Sequence, residues 1–341
     1  MVVLNVAVVS SDELARSIAK ASDQRDVHTY IHKEVDANGV RILSLIRPAK
    51  YPERLRPFLN ALSTAQAGLI EVNAIDATLG EVLVAFASAG IKRGVAVLNP
   101  LKSSWLDESQ VHMLFKQAGL ADWTFVANDG IMMREHFFGL INEIHDTLLA
   151  HATSPLVLPV DQHFNVRGIG LVAIGYVQCG TIRVHDELLI LPANGSGTAK
   201  SLQVMDDDVQ VASAGDRVGI ALRNTKEEHI SGSSILIHPA VHDKKTNTTA
   251  PLALEQHKSS ILTLKLSPFQ KRGLQVGDVI HASVDLQFVV GRVLSVQDTQ
   301  VEVEWEHSLY IRHTNPQPIL IAQLDAKPRI MGSAFATIRG N

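Results

Sequence analysis

The stretch that decides the fold reads Gly168-Ile-Gly170, then Gly175, then Gly180-Thr-Ile-Arg-Val-His-Asp186-Glu187, then Ala214-Gly215-Asp216-Arg217-Val218-Gly219. Short alternating runs fill the gaps: Leu171–Tyr176, Ile182–Val184, Glu187–Leu191, Val218–Leu222 and Ser234–Ile237. Period-two alternation broken by glycines every several residues is the pattern of a β-barrel or sandwich, because glycine supplies positive φ and lets strands bend.

Upstream, the rhythm changes. Val2–Val9 is a continuous apolar run, as expected for a strand buried on both faces of a parallel sheet. Alternation then predicts a helix over Asp12–Ala21 capped by Ser10 or Ser11, a strand over Ile42–Ile46 and a helix over Pro52–Leu62. A strand over Leu69–Asn73, a helix over Leu79–Ala89 stopped by Gly90 and a strand over Val95–Leu98 follow. The last three are a helix over Glu108–Gln117, a strand over Thr124–Val126 and a long helix over Arg134–Leu149. This alternation is that of a doubly wound α/β domain. Helical periodicity ends at Ala152-Thr153-Ser154-Pro155. Downstream of a polar linker, His242–Thr249, a second β set covers Ser260–Leu266, Val279–Val284, Gly291–Val296, Gln300–Trp305, Pro318–Leu324 and Ser333–Ile338. The expected organisation is an α/β domain over 1–152 and two β-barrels over 153–241 and 242–341.

The 341 residues carry a net charge of −4. By region, 14 Lys+Arg oppose 17 Asp+Glu in 1–150, 6 oppose 9 in 151–240, and 11 oppose 9 in 241–341. No region has the basic footprint of a dedicated nucleic-acid binder, and no DNA partner is expected. The single cysteine, Cys179, excludes an intrachain disulfide and a multi-cysteine zinc site, and is compatible with a reducing compartment. No basic leader or apolar run of membrane length is present, so the expectation is a cytoplasmic chain with no membrane partner.

The barrel stretch closely resembles the β-barrel that follows the GTPase domain in translational factors such as elongation factor Tu and SelB. Leu156-Val-Leu-Pro159-Val-Asp161 matches the family's entry strand and Ile230-Ser231-Gly232 its closing one; His185 stands where a glycine is usual. Phe269-Gln-Lys271-Arg272-Gly273 through Gly277-Asp278, Gly291-Arg292-Val293 and Arg329-Ile330-Met331-Gly332 resemble the final barrel of the same group. Within it, the similarity extends to small archaeal SelB-like factors linked to pyrrolysine. The resemblance implies a degenerate P-loop-GTPase-like domain followed by two β-barrels, with aminoacyl-tRNA or the ribosome as partner.

The nucleotide motifs do not follow. A P-loop needs glycines and a lysine between the first strand and helix, because backbone N–H groups wrap the phosphates. Here Ser10-Ser11-Asp12-Glu13 makes a short passage with no earlier glycine, and two carboxylates stand where phosphate would sit. Arg47-Pro48-Ala49-Lys50 replaces the magnesium-binding Asp-x-x-Gly, and Asn99-Pro100-Leu101-Lys102 replaces the guanine-reading Asn-Lys-x-Asp. Ser10, Ser11, Asp12, Arg47, Lys50, Asn99 and Lys102 are therefore expected remnants, with no cofactor, no metal and no catalytic residue.

His28 and His32 have i, i+4 spacing, yet Val27–Ile31 reads as a strand or loop, where exposed histidines are the ordinary reading. His145 and His151 lie near a helix C-terminus, which favours cations. Asp206-Asp207-Asp208 reads as a solvated turn, and Glu302, Glu304 and Glu306 as one solvent-facing strand side. Lys271, Arg272, Arg312 and His313 are the basic residues best placed in the sequence for an RNA backbone. Three functions stay open: a tRNA- or translation-partner-binding module without GTP binding, a divergent active GTPase delivering a specialised aminoacyl-tRNA, and a regulatory subunit for a protein partner.

Overall fold

A computed structural model describes residues 2–36, 39–101, 105–243 and 248–337. The first domain is a sheet of β1 (Val2–Val9), β2 (Lys20–Gln24), β3 (Val27–Asp36), β4 (Gly39–Pro48), β5 (Ala67–Val72), β6 (Gly94–Leu98) and β7 (Thr124–Val126). Helices α1 (Asp12–Ile18), α2 (Leu55–Thr64), α3 (Ala77–Ser88), α4 (Glu108–Ala118) and α5 (Gly130–Ala152) cover its two faces. The strand order is β2-β3-β4-β1-β5-β6-β7, with β4, β1, β5, β6 and β7 parallel and β2 and β3 an antiparallel flank. The order reverses between β1 and β5, so the crevice beyond their carboxyl ends is where an open α/β sheet ordinarily takes a ligand.

Several bounds differ from the sequence reading: the second helix starts at Leu55, beyond Pro52, the last begins at Gly130, and strands 254–266 and 300–312 are longer than expected. Helix α1 ends at Ile18, because Ala19 is already extended and Lys20–Gln24 joins the sheet as an edge strand. This polar pentapeptide has little β propensity of its own. Tertiary bonds hold it: Asp23 accepts from Gln162 and pairs with Arg217, both in the first barrel. In that barrel, Gly195–Val204 is a ten-residue strand that the sequence pattern leaves unassigned. Its inward positions include Gly195 and Gly197, which carry no apolar side chain for a pattern to show.

The first barrel closes as a ring of strands 187–191, 235–237, 158–166, 170–176, 217–223 and 195–204, the last pairing back with the first. Of the expected turn Asp206-Asp207-Asp208, only Asp206 lies in the turn, with positive φ, while Asp207 and Asp208 pair with Val204 and Gln203 in a short strand, 207–209. The second barrel is closed by strands 254–266, 300–312, 287–297, 279–284, 319–322 and 330–336. Glu304 and Glu306 lie on its exposed face, while Val303 and Trp305 point into its core.

The domains share a core. Phe58, Leu83 and Phe86 of α2 and α3 are buried in one cluster with Leu286, Leu320 and Ile330 of the second barrel and Tyr176 of the first. Full burial of side chains of this size is worth about 1.5–3 kcal/mol each. The clustering therefore favours docked domains. No described helix is long and apolar enough to cross a membrane.

Candidate functional site

The crevice at the β1/β5 reversal is filled by the protein's own side chains. Glu71, near the end of β5, is buried within the sheet edge. Its Oε2 accepts the Ser11 backbone N–H at 2.5 Å, and its Oε1 accepts Asn99 Nδ2 at 2.6 Å. Ser11 is the N-cap of α1, its side chain accepting from the Leu14 N–H at 3.2 Å. Arg47, at the end of β4, donates from Nε to the Ser10 carbonyl at 2.7 Å. The backbone N–H of Asn99 is held by the Val72 carbonyl. Ser10, Ser11, Arg47 and Asn99, read separately from the sequence, thus meet at one corner, and Glu71 is the group that joins them.

Asp12 does not occupy the helix terminus as the sequence reading placed it. Its carboxylate turns sideways, accepting from the Tyr30 hydroxyl and from Arg16 one turn on. These two hydrogen bonds, Tyr30's first, hold Asp12 below the usual carboxylate range. Burial, reinforced by Asp12, pushes the Tyr30 hydroxyl up to about 12. The anion against the Ser11 N–H is Glu71. Lys50 is exposed in the turn after β4, and Lys102 lies outside the described residues. Glu71 was missed because one carboxylate in the apolar run Leu69-Ile-Glu71-Val reads as an interruption. Its burial beside strand ends is the signal that finds it.

A second feature lies where all three domains meet. A cleft of about 850 Å³ is walled by Arg25, Arg54, Arg56 and Arg329, with Asp26, Glu53 and Asp161 among them. Arg56, on α2, donates to Ser233 Oγ of the first barrel at 2.8 Å. Arg329, on the second barrel, is fixed by Glu81 of α3, which accepts its backbone N–H at 2.9 Å as well as its guanidinium. Tyr51 donates to the same carboxylate at 3.0 Å. Burial would raise the Glu81 carboxyl, but the hydrogen bonds and charge of Arg329 outweigh it and hold the group below its usual range. On the first barrel, Arg217 pairs with Asp161 at 2.8 Å and Asp23 at 3.4 Å.

The basic residues chosen from sequence separate here. Gln270 donates to the carbonyls of Pro328 and Ile330, which flank Arg329, so the Lys271-Arg272 loop adjoins the cleft wall. Lys271 is exposed, and Arg272 reaches Asp278 at 3.1 Å while keeping most of its side chain in solvent. Arg312 has to be removed from the set. Only 2% of its side chain is exposed, and it is paired with the equally buried Asp285, so it cannot meet a phosphate. His313 is partly exposed, 4.0 Å from Glu255. His28 and His32 lie on β3, spaced along a strand rather than one helical turn apart, and each sits beside a carboxylate, Asp12 and Glu34. Among the described residues no group of three or more metal-ligating side chains converges.

Comparison with known proteins places these features in context. Residues 170–237 match the family model of elongation factor Tu domain 2. An uncharacterized protein of Methanocaldococcus jannaschii is 24% identical over 94% of both chains. The selenocysteine-specific elongation factor of the same organism is 32% identical over 36% of this chain and 26% of that protein. A solved bacterial selenocysteine-specific elongation factor, EF-Sec, superposes with a TM-score of 0.78 at 16% identity, covering all of this chain and 59% of that one. The chain is translation-factor-like, similar to the translational GTPases of the SelB and elongation factor Tu type, with their α/β domain and two barrels.

Proposed function

We propose that this chain is a tRNA- or translation-partner-binding module that works without a GTP switch, and that its ligand is the acceptor end of an aminoacyl-tRNA. The observation that carries the first part is the Glu71 bridge. A phosphate-binding corner keeps backbone N–H groups free for its anion. Here the Ser11 N–H is taken by an internal carboxylate, and a further phosphate would face its negative charge. Arg47 is oriented within the corner by its Nε bond to the Ser10 carbonyl.

The second part rests on the arginine-walled cleft and on the name of the selenocysteine-specific relatives. Arginines on all sides of a cleft suit a phosphate end, because the planar guanidinium pairs bidentately with phosphate oxygens. Lys271 and Arg272 extend that surface outward. A link to selenocysteine or pyrrolysine decoding belongs to the same proposal and rests on resemblance alone.

Isothermal titration with magnesium-GTP and magnesium-GDP tests the first part. The expected outcome is no binding tighter than about millimolar, since phosphate and base contacts are both without free partners. A micromolar dissociation constant returns the chain to the divergent, active GTPases.

A further inference from the structure

On the other side of the three-domain junction lies a cavity of about 500 Å³, between the C-terminal ends of α2 and α3, helix α5, and both barrels. Leu62, Ile91, Ile144, Leu148, Val284 and Leu320 form the apolar part of its wall, with Gln66, Thr147 and Gln317 among the polar side chains beside them. Lys92 and Arg93 also line it, and no aspartate or glutamate does. Among the described residues Lys92 makes no ion pair, while Arg93 reaches Glu143 only at 3.6 Å with both side chains half exposed.

Polar groups are left over inside. Ser283 is 2% exposed and lines the cavity, yet among the described residues its Oγ has no hydrogen-bond partner. Gln178, also lining it, has its amide fixed by the Ser63 carbonyl on one side and Arg312 on the other. Arg312 behind it keeps Nη1 unpartnered. Burial, and then the charge of Arg312, push His151 below its ordinary range, so at neutral pH it offers a hydrogen-bonding imidazole and not a charge. A buried hydroxyl without a partner is destabilising. Its retention beside a cavity with an apolar wall and cations at its edge points to a ligand.

We infer that this cavity is a binding site for a small organic anion, an apolar body bearing one carboxylate, sulfonate or phosphate. The body fills the Leu148–Leu320 walls, the acidic group meets Lys92 and Arg93, and Ser283 and Gln178 supply hydrogen bonds. The volume falls in the range of ordinary small-molecule sites, which are mostly apolar with a few placed polar groups. Because all three domains contribute, such a ligand binds only the docked arrangement and stabilises it by mass action. The inference is independent of whether GTP or tRNA binds.

Fluorescence titration of the full chain with anilinonaphthalene sulfonate, beside the uncharged N-phenylnaphthylamine, tests it. The expected result is one saturable site for the sulfonate. Lys92→Ala/Arg93→Ala should weaken the sulfonate by at least about fivefold, the loss of a partly exposed charge contact, and leave the uncharged probe within about twofold. Ala89→Trp, which fills the cavity from the end of α3, should remove the site for both probes. Unsaturable sulfonate binding overturns the proposal, as does an equal response of both probes to the double substitution. Binding that survives Ala89→Trp in a chain of unchanged melting temperature overturns it too.

Discussion

The corner at the β1/β5 reversal and the seams between domains use the same residue types to different ends. At the corner, Glu71, Ser11, Asn99 and Arg47 bond within one domain, and two of the three bonds involve backbone. At the seams, ion pairs cross between domains: Glu81 to Arg329, and Asp23 to Arg217, which Asp161 of its own barrel also holds. A nucleotide switch needs the reverse. Its corner must leave groups free for a ligand, and its seams must be weak enough for that ligand's differential affinity to repack them. Ion pairs across a seam resist such movement, because opening it gives up their mutual attraction and hydrogen bonds. On the proposed reading, a module without a GTP switch, these pairs serve a fixed scaffold, and buried charges give the means of testing it.

The largest effect is expected at Arg312. Its guanidinium and the Asp285 carboxylate are both nearly inaccessible, and Arg312 also touches Gln178 of the other barrel. Asp285→Ala leaves a buried cation alone and should cost about 3–5 kcal/mol in urea denaturation. Asp285→Ala/Arg312→Met should recover most of it, since an apolar pair of similar bulk needs no desolvation. A loss below about 1 kcal/mol in the single variant would show that water reaches the pair.

A smaller effect of opposite sign is expected at Asp216. This carboxylate lies at the turn where the first barrel meets β1, next to Gly215, whose carbonyl accepts from Asn5 of that strand. Burial pushes its pKa up to about 6, although the Ser213 N–H donates to it. A folded-state pKa above the unfolded one means the native state holds the proton more tightly. Its contribution to stability is therefore present below about pH 4 and is lost as pH rises through about 6. Asp216→Asn keeps the acceptor for Ser213 without the buried charge. It should stabilise the protein by about 2 kcal/mol at pH 7 and by almost nothing at pH 4. Thermal melts at the two pH values check this; an equal gain at both would mean that packing, and not charge, is responsible.

The two regions also differ in how they can be read from the chain. Strands β1, β5 and β6 were legible because burial on both faces makes them apolar at all but one position of β1 and one of β5, Asn5 and Glu71. Gly168, Gly170, Gly180 and Gly215 announced the first barrel because all four take positive φ at its turns. Corner residues at strand ends, Ser10, Ser11, Arg47 and Asn99, could be placed from the strands alone. Glu71 and Glu81 could not. Each is one acid in an apolar segment, and its partners lie far off in sequence: Ser11 is 60 residues from Glu71, and Arg329 is 248 from Glu81. Arg312 was misread for the same reason, since an Arg-His pair near a strand end resembles surface charge until Asp285 is seen against it. Pairings that tertiary structure alone creates leave no periodicity behind.

The smallest effect concerns the outer edge of the cleft and separates a tRNA ligand from a protein one. Each phosphate contact contributes about 0.7–0.9 to the slope of log affinity against log salt. Lys271 is free in solvent, whereas Arg272 already shares its charge with Asp278. Lys271→Ala/Arg272→Ala should therefore lower the slope for aminoacyl-tRNA by about one unit, not two, and weaken binding alike across tRNA sequences. A filter-binding series in rising salt measures it, with Arg56→Ala as the comparison inside the cleft. An unchanged slope in the double variant with a reduced one in Arg56→Ala confines the phosphates to the cleft. No binding by the unmodified chain at about 50 mM salt, where electrostatic attraction is strongest, would leave a protein as the partner, because screening cannot then be the reason that RNA is refused.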